Sequence, residues 1–370
     1  MNTNVDLIVN GQGHGEVAGQ LQNNGLNVGA MRPYIGKDSN TYITAYVGGD
    51  PKNVNSYITK QLNVNATLRR DEWKTLDDAI LQISRTRLGG IQDLIDKNLV
   101  YNLGNAMGTT VLEWHDVSDN MEAALTMDGV TRSKNDRPNF KHNYLPIPII
   151  HVDYEINARV LAASRSLGNP LDTTTAEMAA RRVSEKLESM LFTNTTYSFG
   201  EKDSRSLNTI YSYVNHPDRN TVSIGTHWDD LDFDSDTANG GKTIVDQVLS
   251  LKQTAINAKH YGPYTLYIPT GYETVLDSDY DATTPGTTIR ERILKISNIT
   301  AIKVVDTLTA DNVLLVQMTP DVVRLVRGMG LQNVEWTVEG KFVTKYKVLT
   351  IQVPQIRSDQ NGNSGIVHLA

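Results

Sequence analysis

The sequence contains no cysteine. That excludes disulfides, thiolate metal sites and cysteine nucleophiles, and it leaves the redox compartment open. No stretch approaches the roughly 20 consecutive apolar residues needed to span a bilayer. Met1–Asn10 lacks the basic region and apolar core of a signal peptide. No membrane association is therefore expected, and synthesis and use in a cytoplasm are. A basic excess is also missing: 42 acidic residues outnumber 35 Lys and Arg, for a net charge of -7. A dedicated nucleic-acid binder carries a positive face, so any contact with nucleic acid should be weak, local and non-specific. Phe (5) and Trp (4) are scarce beside 16 Tyr. Tyr buries area while keeping a polar tip, a bias suited to wet or subunit-facing surfaces. Internal repeats and coiled-coil heptads are absent.

What is present fits an ordered protein: 370 residues, 39% hydrophobic and 21% charged, enough for two or three cores or for one irregular fold with long extensions. Residues 1–65 are rich in Asn and Gly, with short β-like runs at Tyr42–Val47 and Tyr57–Ile58, and read as an extended arm that a partner chain orders. From Arg70 the spacing turns helical. Trp73, Leu76, Ile80, Ile83, Ile91, Leu94 and Ile95 share a face, and Gly89-Gly90 predicts a break into two helices. Val111–Val117, Met121–Met127 and Tyr144–Val152 are strand-like around a polar stretch carrying Arg132, Lys134, Arg137 and Lys141. A lone hairpin is marginal in water, so this excursion is expected to lie on something else, a neighbouring subunit being one candidate.

Asn169–Asn194 is the clearest helix, with Thr174 and Glu177 as a capping box and Ala176, Ala179, Ala180, Val183, Leu187, Met190 and Leu191 as its apolar stripe. Short β runs follow at Thr209–Val214 and Thr221–Ile224. A helix is predicted over Thr243–Ala258, preceded by Gly240-Gly241. Beyond it Tyr264–Ile268, Lys303–Val305 and Asn312–Met318 read as buried strands, and Thr270–Leu276 and Thr288–Ile296 as helices. Pro320–Val326 is a short helix or strand, and Val334–Val338 and Phe342–Gln352 close the chain as strands.

Three passages carry a family resemblance. The first runs from Arg70-Asp71-Glu72-Trp73 to Arg85-Thr86-Arg87-Leu88-Gly89-Gly90. The second runs from Leu171-Asp172 through Ala176 and Ala179-Ala180 to Leu191-Phe192. The third joins Gly262-Pro263-Tyr264 to Ile268, Thr288–Ile293, Ile302–Leu308 and Asn312–Val316. Their order resembles the Hong Kong 97-like capsid fold, shared by tailed-phage capsid proteins and bacterial encapsulins. The resemblance implies an α+β fold with an N-terminal extended arm (1–69) and N-terminal helices joining the P-domain (70–108). It then implies an E-loop hairpin (109–153) and a P-domain (154–259) with spine helix 173–193 and connecting loops. An A-domain (260–340) and C-terminal strands returning to the P-domain (341–370) complete it.

It further implies a major capsid protein that assembles into hexamers and pentamers of an icosahedral shell around the double-stranded DNA of a tailed bacteriophage. Scaffold, portal and decoration proteins are candidate partners. The location would be the virion, and the host cytoplasm during assembly. Arg132, Lys134, Arg137 and Lys141 become candidate subunit-interface residues, against the plainer reading of a solvated hairpin tip. The type member joins a Lys and an Asn of different subunits covalently. Lys134 and Lys141 lie in a corresponding loop, but no motif supplies the Asn and the crosslink is not carried over. The alternative within this fold is an encapsulin-type nanocompartment enclosing a cargo enzyme.

Catalytic, cofactor and metal residues are not assigned, and no enzyme is expected. Asp229, Asp230, Asp232, Asp234 and Asp236 alternate like a calcium loop but lack its Gly and closing Glu, so a solvated loop is the plainer reading. His14, within Gly11–Gly15, has no strand-to-helix context for a phosphate loop. Eight His fall in no His-Glu-x-x-His frame, and Ser164 and Ser166 in no nucleophile elbow. A metal-dependent enzyme is the third reading.

Overall fold

A computed structural model of the chain describes residues 32–46, 57–62, 68–87, 89–104, 107–117, 125, 127, 140–166, 173–194, 196–199, 208–233, 240–280, 286–339, 343–359 and 361–370. In chain order its elements begin with strands β1 (Tyr34–Ile35), β2 (Thr41–Tyr46) and β3 (Tyr57–Leu62) and helices α1 (Arg70–Arg87) and α2 (Gly89–Asp96). Next come strands β4 (Val100–Asn102), β5 (Val111–Val117), β6 (Phe140–Pro146) and β7 (Ile150–Asn157), and helices α3 (Ala158–Ser166) and α4 (Thr174–Phe192). Strands β8 (Tyr197–Phe199), β9 (Asn208–Ile210) and β10 (Asn220–Val222) lead to helix α5 (Gly240–Asn257) and strand β11 (Tyr264–Pro269). Helices α6 (Glu273–Leu276) and α7 (Ile289–Leu294) precede strands β12 (Ile299–Val305), β13 (Val313–Gln317), β14 (Val323–Glu339), β15 (Val343–Ile356) and β16 (Ile366–Leu369). The fold is mixed α+β. Its contacts form two compact units: Met1–Thr110, Ile147–Glu188 and Leu325–Val353 in the first, and Val111–Pro146, Ser189–Arg324 and Pro354–Ala370 in the second.

The first unit holds a four-stranded sheet of order β4-β14-β15-β7, with β4 parallel to β14 and β7 antiparallel to β15. Its core joins Trp73, Leu76 and Ile80 of α1, Ala176, Ala179, Ala180 and Val183 of α4, and Tyr346 and Val348 of β15. The α4 stripe is buried as its 3.6-residue period predicts. Small residues along it let the helix lie close to its neighbours. The capping box shifts by one residue: Thr174 is the first helical residue, and Thr173 Oγ1 bonds Glu177 Oε1 at 2.5 Å. The helix break at Gly89-Gly90 is present, with α1 ending at Arg87 and α2 starting at Gly89.

The arm departs from expectation. Strands β1, β2 and β3 form an antiparallel sheet, and Tyr34 and Leu68 enter the same core as Trp73. The cause is a polar clamp. The Arg32 guanidinium pairs with Asp77 on α1 and stacks 4.4 Å over the Trp73 ring. Trp73 Nε1 in turn donates to the Pro33 carbonyl at 3.1 Å. From Arg32 onward the described arm is thus ordered by its own chain. Residues 1–31 lie outside the described residues.

The second unit is built on a five-stranded sheet of order β10-β16-β13-β11-β12. Strands β11, β13 and β16 are buried along their whole lengths, the signature of central strands covered on both faces. Ile244, Val248, Leu251 and Ala255 of α5 and Ile289 and Ile293 of α7 complete the core with Trp228 and Tyr272. Helix α5 begins at Gly240, three residues before the predicted start. The two glycines are its first turn because nothing larger fits. A Cβ at Gly240 would stand 2.7 Å from the Asp232 carbonyl oxygen, and one at Gly241 would collide with the carbonyl of Tyr280.

Two further predictions are corrected. The run Thr209–Val214 is a strand only to Ile210. Ser212 N–H turns to Asn215 Oδ1 at 2.7 Å, and Val214 N–H to Ser212 Oγ at 3.3 Å, local bonds that compete with a ladder. Conversely, Pro320–Val326 and Val334–Val338 are not separate pieces. After a turn at residues 320–322, a single 17-residue strand, β14, runs from Val323 to Glu339, through the stretch 327–333 left between the two runs. Its pairing with β15 and β4 holds it extended.

Candidate functional site

The hairpin of β5 and β6 has the sequence alternation of a two-faced ribbon. Its register runs from Val111↔Pro146 to Val117↔Phe140. Leu112, Trp114 and Asp116 therefore share one face with Lys141, Asn143 and Leu145, their cross-strand partners. Glu113 and His115 share the other with His142 and Tyr144. The first face is the more covered: Leu145 is buried and Trp114, Asp116 and Asn143 are half-buried, while Glu113, His115, His142 and Tyr144 are exposed.

Within the second unit the covered face borders a cleft of about 360 Å³, closed by residues 209–218 and 354–358. Its floor is polar. Asn143 Nδ2 donates to Asp116, whose other oxygen lies 3.8 Å from Arg357 Nη2. Ser358 Oγ donates to Asp218 at 2.6 Å, and the Asp218 N–H donates to His216 Nδ1 at 3.2 Å. Burial pulls the His216 pKa down to about 4, against an opposing pull from Asp218. At neutral pH the ring is therefore an uncharged acceptor. The Asp116–Arg357 contact ties the hairpin base to the 354–358 segment, while Trp114 Nε1 and Arg357 Nε have no hydrogen-bond partner among the described residues.

Of the predicted interface residues, Lys141 is exposed on β6 at the rim of this cleft, across from Asp116. Arg132, Lys134 and Arg137 lie outside the described residues, as do most of Met121–Met127, His14, Asp234 and Asp236. Leu125 and Met127 are described, and both are fully exposed; Phe140 is 60% exposed. Asp229 and Asp230 sit on a short 3-10 turn, exposed with Asp232. Ser166 Oγ bonds the Ala163 carbonyl at 2.9 Å, an ordinary helical back-bond.

The sequence reading missed one constellation. Glu113, His115 and His142 are the described residues whose ligating atoms converge, all within 4.8 Å. The i, i+2 spacing of Glu113 and His115 was readable. The position of His142 across from them needed the strand register.

A profile described as a family of unknown function (DUF6260) matches residues 63–369. Curated proteins give no match. Among solved structures, a virus-like particle from Pyrococcus furiosus aligns with TM-score 0.57 and 17% identity, over 80% of this chain and 99% of that one. The capsid of the Myoviridae phage XM1 aligns with TM-score 0.56 and 10% identity, over 76% and 91%. The capsid of a native GTA particle aligns with TM-score 0.51 and 11% identity, over 73% and 86%. At these identities the likeness is one of fold, and it bears out the resemblance to Hong Kong 97-like capsid proteins. No helix among the described residues is long and apolar enough to cross a membrane.

Proposed function

Because the chain belongs to the family of unknown function DUF6260 and has the fold of capsid shell subunits, we propose that it is the major capsid protein of a tailed bacteriophage. It assembles with itself into hexamers and pentamers of an icosahedral shell around double-stranded DNA, and catalyses nothing. The supporting observation is the excursion between β5 and β6. It is tied at its base through Asn143, Asp116 and Arg357 yet carries fully exposed Leu125 and Met127 beyond the strands. Exposed apolar side chains of this kind suit an interaction surface, and the occupant is a second copy of this chain. The excursion acts as the E-loop, α4 as the spine helix of the P-domain, and β11, α7, β12 and β13 as part of the A-domain. Lys141, with Arg132, Lys134 and Arg137, meets acidic surface of the neighbour. Each such exposed pair contributes about 0–1 kcal/mol, multiplied by symmetry. The net charge of -7 suits a shell that confines DNA without gripping it.

Electron microscopy of the expressed chain tests this reading, with scaffold supplied where needed. Wild-type protein is expected to form closed particles. The Leu125→Asp/Met127→Asp chain should keep the thermal transition of the wild type but stay unassembled. A wild-type chain that remains monomeric with and without phage partners overturns it. Particles purified from the native source with an enzyme cargo and no genome favour a nanocompartment.

A further inference from the structure

On the exposed face of the hairpin three ligating side chains meet. Glu113 and His115 stand two apart on β5, and His142 is the direct cross-strand partner of His115. Nε2 of His115 lies 2.9 Å from Nδ1 of His142, which lies 2.8 Å from Oε1 of Glu113. The third side of the triangle, His115 Nε2 to Glu113 Oε1, is 3.5 Å. We propose that Glu113, His115 and His142 form a binding site for a divalent transition-metal ion of the zinc class, with these three atoms as its protein ligands.

All three ligating atoms lie within 4.8 Å of one another. A cation at the centre can accept a lone pair from each of them.

The geometry fits as well. Ligands about 2.0–2.2 Å from a tetrahedral ion stand about 3.3 Å apart, so these atoms need move only by tenths of an ångström. Two imidazoles and one carboxylate select zinc, nickel or copper over calcium and magnesium, which take all-oxygen shells. The three side chains are about half exposed, which leaves the fourth position to water. The ion would tie β5 to β6 at the root of the excursion.

Calorimetric titration of zinc chloride into the full-length chain tests the site. One ion per chain is expected from this site. Binding should weaken at least about 100-fold in His115→Ala/His142→Ala, beyond the loss typical of outer-shell changes. His151→Ala, an exposed His on β7, should leave it unchanged. Cobalt should give tetrahedral visible bands in the wild type that disappear in the double variant. Glu113→Gln, which keeps the shape and removes the charge, should weaken binding by about tenfold or more and guards against any loss of fold in the double variant. Equal zinc affinity in the wild type and both variants overturns the proposal, whether all bind or none does.

Discussion

In the first unit the largest buried side chains carry polar atoms that must be matched across long stretches of sequence. Arg32, only 1% exposed, meets Asp77, and Trp73 Nε1 meets the Pro33 carbonyl. Arg165 Nε donates to Glu72 Oε1 at 2.7 Å, and Asn333 Nδ2 to the Tyr154 hydroxyl at 2.7 Å. In the second unit the central strands Tyr264–Pro269, Val313–Gln317 and Ile366–Leu369 bury mostly aliphatic side chains. Its buried polar side chains include Thr265, Gln317, His216 and His368. Apolar burial is non-directional and roughly additive. A buried polar pair is all-or-none, because removing one partner strands the other. The first unit should therefore fail through single polar substitutions, and the second through loss of bulk or through acid.

The largest effect is expected at Asp77. Asp77→Ala leaves the buried Arg32 guanidinium without its carboxylate, a loss of about 3–5 kcal/mol. Replacing both residues with apolar side chains of similar volume, Arg32→Met with Asp77→Leu, should recover most of it. Denaturant unfolding of the two variants checks this. A double variant as unstable as the single one would mean that the pair matters for packing alone, and the contrast between the units would lose its basis.

Acid should act on the second unit. His216 and His368 are both buried, and burial lowers each pKa to about 4 from the ordinary 6.5. His368 Nδ1 accepts from Arg219 at 3.4 Å while its Nε2 faces Asn312 Oδ1 at 2.6 Å, a neutral tautomer. The folded state binds fewer protons than the unfolded chain between these values, so stability rises with pH across the window. It is complete above pH 6.5 and is lost as the pH falls toward 4. At the acid limit each ring accounts for up to about 3 kcal/mol. Thermal unfolding followed from pH 7 to 4.5 should show the decline, and His216→Gln should flatten it. An unchanged slope in that variant would remove His216 from the account.

The same contrast explains what was legible in the sequence. Helices α1, α2 and α4 and strands β11 and β13 announce themselves by periodicity or by apolar runs, because their burial is local and repetitive. The docking of the arm does not. Arg32 and Asp77 are 45 positions apart, and a single ion pair leaves no periodic trace. Strand β14 read as two pieces, because its continuity across residues 327–333 comes from its place beside β15 and not from a local apolar run. At the hairpin Lys141 was visible by charge, whereas the Glu113, His115 and His142 cluster exists only through strand register.

The smallest expected effect sits at Glu188, where the first unit again solves a local problem with a distant residue. Helix α2 has no acidic residue in its own first turn, so its leading N–H groups and positive end lack a neighbour in sequence. Glu188 of α4 supplies one: Oε1 accepts from Gly90 N at 2.7 Å and Oε2 from Ile91 N at 3.3 Å. Glu188→Ala should cost about 1–2 kcal/mol, the scale of a lost helix cap. Glu188→Gln, which keeps one acceptor but turns an N–H₂ group toward a donor, should recover only part of it. Hydrogen exchange at Gly90 and Ile91 should accelerate about tenfold for each 1.4 kcal/mol lost locally. Unaltered exchange at these two amides in Glu188→Ala would show that the carboxylate is not the cap, and that α2 is held by Ile91 and Leu94 in the core instead.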